Sequence, residues 1–366
     1  MWLAWVVTPK KKLMIGIIDK TVLTKKGQEH ISLMWVLNHE KFSKINTDLY
    51  ETQRDYFGFF PLGGEKYKIK GLERFSSAKL DELSNDCDVA YLTDAYGIYN
   101  SEWFERKNVT ERSGIIYGGM SQQDMDFLKK MKAKHKLILT EFNCLGSPTS
   151  PTVRTEFENT FKMKWTGWIG RYFDVLDTAI NPELPKWLVQ NYIDQHGGKW
   201  PFKKSGIAFV KENDRIVILE NETHLTHELP QMFSKAEAIN KYDLPDKINY
   251  SFWFDVIAPD TTINNVFAEF KISTNKNGAA ELQKEGIPSV FPAIVNHNSA
   301  DYQFWYFCAD FSDNPISTFS SYFKGIHFFR RMFYNSTDPA ERRSFFWNVY
   351  QPLVSTILKD YKEQLK

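Results

Sequence analysis

Several short apolar segments in the first half of the chain are each followed by polar or glycine residues, whose side chains suit binding or catalysis. The residues that follow these segments are Asp19, Lys20, Asp94, Tyr96, Gly118, Gly119, Glu141, Asn143 and Cys144. The turn with Glu141, Asn143 and Cys144 combines a carboxylate, an amide and a thiol, so these three are the catalytic candidates. The other six are candidates for ligand binding. Each alone is also an ordinary cap or turn residue, so the fold must decide whether they act together.

The elements that must position these residues alternate between strands and helices. Apolar runs at residues 13–18, 88–93, 114–117 and 136–140 predict strands, and a further strand is predicted over 67–70. Such alternation predicts an α/β fold with a doubly wound, mainly parallel sheet. Because ligands bind beyond the carboxyl ends of such strands, we expect the polar residues to gather at one edge of the sheet.

The length of 366 residues suggests about two domains, at ~150 residues each. We assign residues 1–12 to an apolar arm or membrane-anchor end, 13–180 to the α/β domain and 181–366 to an α+β region. No linker or repeat separates the two larger parts. The α+β region is therefore expected to pack tightly on the α/β domain, and whether it extends the same sheet is left open.

A glycine pair, a helix, a strand and a sharp turn with a cysteine follow one another between Gly118 and Cys144. This order resembles the class I glutamine amidotransferase-like (flavodoxin-like) family over about residues 13–165. The resemblance implies that Gly118 and Gly119 would help to form an oxyanion hole. It also implies that Cys144 would be a nucleophile on a turn of the pattern G-x-C-x-G.

The chain departs from that pattern at two points. Phe142 replaces the first glycine of the turn, and no histidine is followed two residues later by the glutamate of the family's His-x-Glu pair. A nucleophilic thiol needs a lowered pKa, which a histidine and a helix N-terminus would provide. We therefore expect a branch of the family without amidotransferase activity, in which Cys144 is a buried structural thiol.

The segment 165–172 combines aromatic rings, two glycines and Arg171. Rings of this kind stack on sugars, and an arginine can bind a carboxylate through two parallel hydrogen bonds. The alternative is a packed turn in which Arg171 pairs with Asp174 or Asp177. The residues expected to border the crevice are Trp165, Trp168, Arg171 and Tyr172. Arg171 and Tyr172 would lie nearest to the strand ends, and Arg171 would hold an acidic glycan or another carboxylate.

Composition and motifs exclude several classes of protein. Lys and Arg (46) nearly balance Asp and Glu (45), which argues against a nucleic-acid binder. The three cysteines are far apart without a C-x-x-C pair, so no metal site is assigned. No phosphate-binding or dinucleotide-binding loop occurs, so no cofactor is assigned. Asp310 and Asp313 follow an apolar run, where they suit a bound cation, acid–base chemistry or turn capping.

The first seven residues are wholly apolar and are followed by Thr8, Pro9 and three lysines. Seven helical residues span ~10 Å, whereas a bilayer requires ~20 residues. The segment is either an apolar arm packed on the core or the end of a membrane anchor that precedes this chain. The second interpretation predicts a bacterial cell envelope location rather than the cytoplasm.

Two classes of function agree with these observations. The first is an envelope-associated, amidotransferase-like module that lacks glutaminase activity and binds a glycan or another small polar ligand at the crevice. The alternative is a hydrolase or transferase that uses Glu141, Asn143 and Cys144 at the same crevice.

Overall fold

The computed structural model describes residues 1–45, 47–104 and 113–365. Its strands, in chain order, are β1 (Lys11–Lys12), β2 (Ile15–Asp19), β3 (Phe42–Ser43), β4 (Phe57–Gly63), β5 (Lys66–Lys70), β6 (Val89–Asp94), β7 (Ile98–Tyr99), β8 (Ile115–Tyr117), β9 (Leu137–Glu141), β10 (Met163–Phe173), β11 (Gly206–Lys211), β12 (Ile216–Glu220), β13 (Gln231–Ser234), β14 (Lys247–Asn249), β15 (Trp253–Pro259), β16 (Asn265–Lys271), β17 (Val290–Asn298) and β18 (Gln303–Phe307).

The α-helices are α1 (Trp2–Val7), α2 (Ile31–Glu40), α3 (Ser77–Asp86), α4 (Asn100–Trp103), α5 (Gln122–Ala133), α6 (Pro151–Phe161), α7 (Lys186–Gln195), α8 (Ala236–Tyr242), α9 (Lys276–Glu285), α10 (Arg342–Phe345) and α11 (Gln351–Gln364). Three 3-10 helices cover Gln28–His30, Thr318–Tyr322 and Ile326–Met332. A π-helical turn, Phe346–Tyr350, leads into α11.

Ten strands form the main sheet, in the order β14-β13-β16-β17-β18-β9-β6-β2-β4-β5. The five central strands, from β18 to β4, are parallel to one another, and the strands on either side pair antiparallel. Helices pack on both faces. The predicted α/β fold class is thus confirmed, with its parallel part in the centre. Strands from the C-terminal region extend the same sheet.

The central strands are predictable from sequence because both of their faces are buried. Every residue of β2, β6 and β9 is buried. Their side chains alternate between two cores: Ile17 and Leu139 pack with α2 and α11, whereas Ile18 and Ile138 pack with α3, α5 and α6. Strands buried in this way appear in sequence as continuous apolar runs.

A second, antiparallel sheet has the order β12-β11-β10-β15. It joins the main sheet next to the end of β18, where the Asp255 amide donates to the Cys308 carbonyl at 3.0 Å. Gly170 allows the close packing inside this sheet, because a Cβ there would lie 2.4 Å from the Phe254 ring. The second sheet therefore brings β10 and the start of β15 to the carboxyl ends of the central strands.

Two of the predicted strands are present but do not belong to the parallel part of the main sheet. Residues 114–117 form β8, which pairs with β7 in a separate two-stranded sheet and not with the parallel strands. Ile115 is 43% exposed there, and an apolar run this short does not reveal whether it is buried. Residues 67–70 lie in β5, an antiparallel edge strand beside β4.

The apolar N-terminus forms α1, which contacts the rest of the protein mainly through Trp5. The Trp5 indole donates to the Asn38 carbonyl at 2.9 Å, and Lys41 Nζ donates to the Trp5 carbonyl at 3.0 Å. Four large apolar residues of α1 remain exposed, namely Trp2, Leu3, Val6 and Val7, and so does Ala4. Within the described parts of the chain, no helix has both the length and the apolar character needed to cross a membrane.

Candidate functional site

A cavity of about 520 Å³ lies beyond the carboxyl ends of β2, β6 and β9, and we call it the crevice cavity. Its acidic lining residues are Glu29, Asp94, Glu102, Glu183, Asp310 and Asp313. Its aromatic lining residues are Tyr96, Tyr99, Phe142, Trp187, Phe252 and Trp253. Among the described residues that line it there is no Lys, Arg or His. The cavity therefore offers hydrogen-bond acceptors and ring faces, with negative charge.

Three of these carboxylates converge, and we call Glu29, Asp94 and Asp310 the acidic trio. One oxygen from each lies within 4.8 Å of the others. Glu29 lies in the 3-10 helix before α2, Asp94 ends β6, and Asp310 follows β18. Three segments distant in sequence thus meet at one point of the sheet edge.

Asp94 is held in place by three donors. The Thr21 hydroxyl and the Tyr96 amide each donate to Oδ1 at 2.6 Å, and Asn143 Nδ2 donates to Oδ2 at 3.3 Å. Burial nevertheless raises the pKa of Asp94 to about 7, against the lowering effect of the Thr21 hydrogen bond. The orientation of this carboxylate is therefore fixed before any ligand arrives.

The carboxylates of Glu29 and Asp310 differ from Asp94 because no donor reaches them within the described parts of the chain. Asp310 is only 7% exposed, and its amide and carbonyl, but not its side chain, are hydrogen-bonded. Burial, followed by the negative charges of Asp313 and Asp94, raises the pKa of Asp310 well above its usual range. Burial and neighbouring carboxylates, Asp313 first among them, raise the pKa of Glu29 in the same direction.

Asp313 also lines the cavity and already has its partners. Arg342 Nη2 lies 3.0 Å from its carboxylate, and Gln28 Nε2 donates to it at 3.0 Å. The Arg342 guanidinium also stacks over the Phe252 ring, 3.4 Å from the ring centroid. The cation nearest to the acidic trio is therefore committed to Asp313.

A second cavity of about 600 Å³, the side cavity, adjoins the first and shares Gln28, Pro182, Glu183 and Phe252 with it. Arg171 and Tyr172 line it. The Arg171 guanidinium forms an ion pair with Glu183 and lies 4.7 Å from the Phe173 ring centroid. The alternative interpretation pairs Arg171 with Asp174 or Asp177; the acid that pairs with it is instead Glu183, which offsets the charge of Arg171 at the cavity wall.

The structure places five of the predicted site residues at these cavities. Asp94, Tyr96 and Asn143 line the crevice cavity, and Arg171 and Tyr172 line the side cavity. The remaining predicted residues, which line neither cavity, are Asp19, Lys20, Gly118, Gly119, Glu141 and Cys144. The strand ends do gather at one edge, yet a large part of that edge is closed by internal contacts.

Those internal contacts pair the buried polar groups with one another. The Asp19 carboxylate contacts His30, whose other ring nitrogen faces the Thr52 carbonyl at 2.8 Å. Lys20 Nζ contacts the carboxylates of Glu73 and Asp124. It also donates to the Gly119 carbonyl at 2.9 Å, so the glycine pair lies against a buried ion pair and not against an open site.

Cys144 and Glu141 lie below the crevice. The Cys144 thiol is fully buried, its nearest polar neighbours are the carbonyls of Phe142 (3.8 Å) and Leu92 (4.0 Å), and burial raises its pKa well above the usual value. Glu141 accepts hydrogen bonds from the Tyr91 hydroxyl and the Ser312 amide, and burial raises its pKa to about 8. Neither group has the exposure that attack on a substrate requires.

The prediction that Trp165 and Trp168 border the crevice is wrong. They are 6% and 1% exposed, and the Trp165 indole donates to the Trp168 carbonyl at 3.1 Å. Segment 165–172 is extended, as expected, but it is part of β10, where neighbours on both sides cover it. The rings at the crevice are instead Phe252 and Trp253, at the start of β15.

Sequence reasoning also missed Glu29 and Glu183 as site residues. Glu29 stands at the start of a helical pattern, where an acidic residue is ordinary. Asp310 was singled out together with Asp313, but nothing in the sequence places it beside Asp94. A carboxylate that meets others only through the fold leaves no local signal.

No known protein family matches the sequence, and no curated protein does. Fourteen chains of solved structures match. A putative ThuA-like protein from Bacteroides uniformis matches at 8% identity and a TM-score of 0.38, over 86% of this chain and 90% of its own. Another, from Parabacteroides merdae, matches at 8% identity and a TM-score of 0.37, over 82% and 79%. A β-galactosidase from Bacillus circulans matches at 9% identity and a TM-score of 0.36, over 84% of this chain and 30% of its own.

This chain thus spans less than a third of the length of that β-galactosidase. Likenesses at such identities and TM-scores carry no information about activity. The function is therefore inferred from the residues of the site itself.

Proposed function

We propose that this chain binds a neutral or cationic glycan, or a similar small polyhydroxylated ligand, in the crevice cavity and has no glutaminase activity. One observation carries the proposal. The cavity combines aromatic rings with two carboxylates, those of Glu29 and Asp310, that no donor reaches among the described residues, and its described lining contains no Lys, Arg or His.

The chemistry of this lining matches a sugar better than it matches an anion. Sugar hydroxyls are donors, and Asp310 and Glu29 are acceptors without donors of their own among the described residues. Trp253 and Phe252 lie on the same cavity and offer ring faces to the C–H surface of a sugar. Hydrogen bonds to a carboxylate are stronger than neutral ones, which favours a ligand rich in hydroxyl or ammonium donors.

The expectation of an acidic ligand loses its support. It depended on Arg171, whose charge is neutralised by Glu183. Arg342 is likewise paired with Asp313. A uronic acid in the crevice cavity would face carboxylates, so repulsion disfavours it relative to a neutral sugar or an amino sugar.

The absence of glutaminase activity is proposed from Cys144. Its thiol is fully buried and its pKa is raised by burial, whereas a nucleophilic cysteine is partly exposed and has a lowered pKa. Among the described residues no histidine contacts it.

Isothermal titration calorimetry in EDTA, which excludes divalent cations, tests the proposal with three oligosaccharides of similar size: cello-oligosaccharides (neutral), chitosan oligomers (cationic) and oligogalacturonate (acidic). We expect the neutral or the cationic set to bind and the acidic set to bind at least tenfold more weakly. Asp310→Asn should weaken binding by about 10- to 100-fold, the range for one charged hydrogen bond. Asp255→Asn, which changes a buried carboxyl outside both cavities, is the matched control. Preferential binding of oligogalacturonate, or equal effects of the two variants, would contradict the proposal.

A second candidate is hydrolysis of a glycosidic bond at the same cavity. The pKa of Asp94, raised to about 7 by burial, suits a general acid near neutral pH, and a neighbouring carboxylate is present in Glu29. Release of reducing sugar from a ligand found by calorimetry would support this candidate, and loss of that release in Asp94→Asn would assign the acid. An intact ligand after prolonged incubation would rule it out.

We also propose that the chain works at a membrane surface of the cell envelope. α1 has exposed apolar residues, and its N-terminal end lies beside the segment that precedes the 3-10 helix Ile326–Met332, because the Lys324 amide donates to the Met1 carbonyl at 3.2 Å. The exposed apolar residues of that 3-10 helix are Phe328, Phe329 and Met332. The cations nearby in sequence are Lys10, Lys11, Lys12, Arg330 and Arg331. Apolar residues beside cations suit an anionic bilayer surface.

Flotation with vesicles tests this location. We expect binding to vesicles with anionic lipid, weaker binding to neutral vesicles, and loss of binding in the double variant Leu3→Asp with Phe328→Asp. Ile263→Asp, a change of the same type at an exposed residue elsewhere, should bind as the unchanged chain does. Binding that is equal in all three proteins, or absent from anionic vesicles, would overturn the proposal.

A further inference from the structure

We propose that the acidic trio, Glu29, Asp94 and Asp310, holds one hard divalent cation, for which Ca²⁺ is the best fit. This inference rests on the proposed function, because the cation would occupy the same crevice cavity and present its open coordination positions to the ligand.

The first observation is geometric. One oxygen of each residue lies within 4.8 Å of the other two. Three oxygens that are within 4.8 Å of one another share a point at most ~2.8 Å from each of them. A small inward movement brings them to the Ca²⁺–oxygen distance of about 2.3–2.6 Å, whereas Mg²⁺, at about 2.0–2.1 Å, requires a larger one.

The second observation concerns Asp310 itself. Its side chain is 93% buried (7% exposed), borders the cavity, and has no hydrogen-bond or ion-pair partner in the described residues. The other buried acidic side chains each contact at least one donor or cation: Asp19, Glu40, Asp94, Asp124, Glu141, Asp255 and Asp313. A buried carboxylate without a partner is unfavourable, so its charge is offset by a proton when the site is empty and by a cation when one is bound.

Electrostatics favours a cation over a neutral ligand at this point. Burial makes the largest contribution to the raised pKa of both Glu29 and Asp310, and the negative charge of neighbouring carboxylates adds to it. The one guanidinium close to Asp310, that of Arg342, is paired with Asp313. The charge of Arg342 lowers the pKa of Asp310 only in part, because that pKa remains raised well above its usual range, and a divalent cation would offset the remaining repulsion within the trio.

The donor set selects the kind of cation. It consists of carboxylate oxygens, without the thiolate or imidazole that Zn²⁺ and Cu²⁺ prefer, so Ca²⁺, Mn²⁺ and Mg²⁺ are the candidates. Thr21 and Asn143 orient the Asp94 carboxylate by hydrogen bonds, as outer groups do at metal sites. Three carboxylates leave several coordination positions for water or for ligand hydroxyls.

Terbium luminescence tests the site without any glycan, because Trp253 on the same cavity can sensitise bound Tb³⁺. After treatment with EDTA and removal of the chelator, the full chain should bind Tb³⁺ at one site per chain, and Ca²⁺ should displace it. Calorimetry with Ca²⁺, Mn²⁺ and Mg²⁺ then gives the affinities. We expect Asp310→Asn and Glu29→Gln each to weaken Ca²⁺ binding at least 30-fold, and the control Asp255→Asn to leave it within twofold.

Circular dichroism and the melting temperature, both measured in EDTA, show whether each variant is folded. Asp310→Asn removes a repulsive charge, so it should be folded and at least as stable as the unchanged chain in EDTA. No saturable binding at millimolar Ca²⁺ or Mn²⁺, or binding that both trio variants retain, would overturn the inference.

Glycan titrations with Ca²⁺ and with EDTA separate this inference from the proposed function. Glycan binding that persists in EDTA together with absent Ca²⁺ binding would refute the cation site and leave the proposed function intact. Ca²⁺ binding lost in Asp310→Asn, without binding of any glycan, would support the cation site and refute the proposed function.

Discussion

Two groups of buried charge lie at the same edge of the parallel sheet, and they differ in their partners. Around Lys20, the ammonium contacts the carboxylates of Asp124 and Glu73 and the Gly119 carbonyl, so both carboxylates have a cation in contact inside the protein. Around Asp310, three carboxylates meet at a cavity without a cation of their own. The comparison teaches that a polar strand end is a site only where the fold leaves its charge unpaired and accessible.

Removing the ammonium of the compensated group should have the largest effect. Lys20→Met leaves the fully buried Asp124 without its cation, which costs ~3–5 kcal/mol when one partner of a buried pair is lost. Urea unfolding followed by circular dichroism measures the free energy of unfolding. A loss below about 1 kcal/mol would mean that the Lys20 group is not an internally compensated pair.

Asp255 is an intermediate case, because one oxygen accepts from the Tyr306 hydroxyl at 2.5 Å and the other has no partner. Burial raises the pKa of Asp255 to about 7, from ~4 in the unfolded chain. Below pH ~4 the carboxyl is protonated in both states and its contribution to stability is complete. Between pH ~4 and ~7 only the unfolded chain loses the proton, so stability falls by up to ~1.4 kcal/mol per pH unit.

Asp255→Asn removes that dependence. The variant should gain stability relative to the unchanged chain as the pH rises from 5 to 7.5, as measured by urea unfolding at both values. An identical difference between the two proteins at both pH values would show that Asp255 titrates normally in the folded protein.

Asp310→Asn should raise the free energy of unfolding, whereas Lys20→Met should lower it. In EDTA at pH 8 the variant should be more stable than the unchanged chain by on the order of 1 kcal/mol, because one of three mutually repelling carboxylates becomes neutral. Asp313→Asn is the contrasting change, since it removes the partner of Arg342 and should be destabilising. Destabilisation by both variants would mean that the Asp310 carboxylate, like those around Lys20, has a partner inside the protein.

Cys144→Ala should have the smallest effect on function. The thiol lies below the crevice, so the affinity for a crevice ligand should change less than twofold, whereas loss of the buried sulfur costs ~1 kcal/mol of stability. The matched variant is Asn143→Ala, which removes a lining side chain that donates to Asp94. This variant should lower the affinity for the ligand. Equal loss of affinity in both variants would contradict the separation of Cys144 from the site.

The parallel centre of the fold could be predicted because strands such as Ile15–Asp19 are buried on both faces and therefore read as apolar runs. The pairing of the strands outside this centre could not be predicted. β8 is as apolar as a core strand, yet it pairs outside the main sheet, and only tertiary contacts decide between the two places. The extension of the sheet by the C-terminal strands was left open for the same reason.

The site was predictable where position in the sheet determines it. Asp94 and Asn143 were found because they end or follow central strands. Glu29 was missed because its partners come from segments far away in the sequence, and the pairing of Arg171 with Glu183 was missed because Glu183 lies in a loop without a pattern. Trp168 was misplaced because an aromatic residue beside glycines can equally well be an interior residue of a strand.

Difference electron density from a crystal grown at neutral pH with Ca²⁺ and a bound oligosaccharide would test the central claim most directly, namely that the unpaired carboxylates of the crevice serve a ligand. The account predicts density from an added molecule or ion within bonding distance of Asp310 and Glu29. Density confined to other parts of the surface, with these two carboxylates contacting only water, would contradict it.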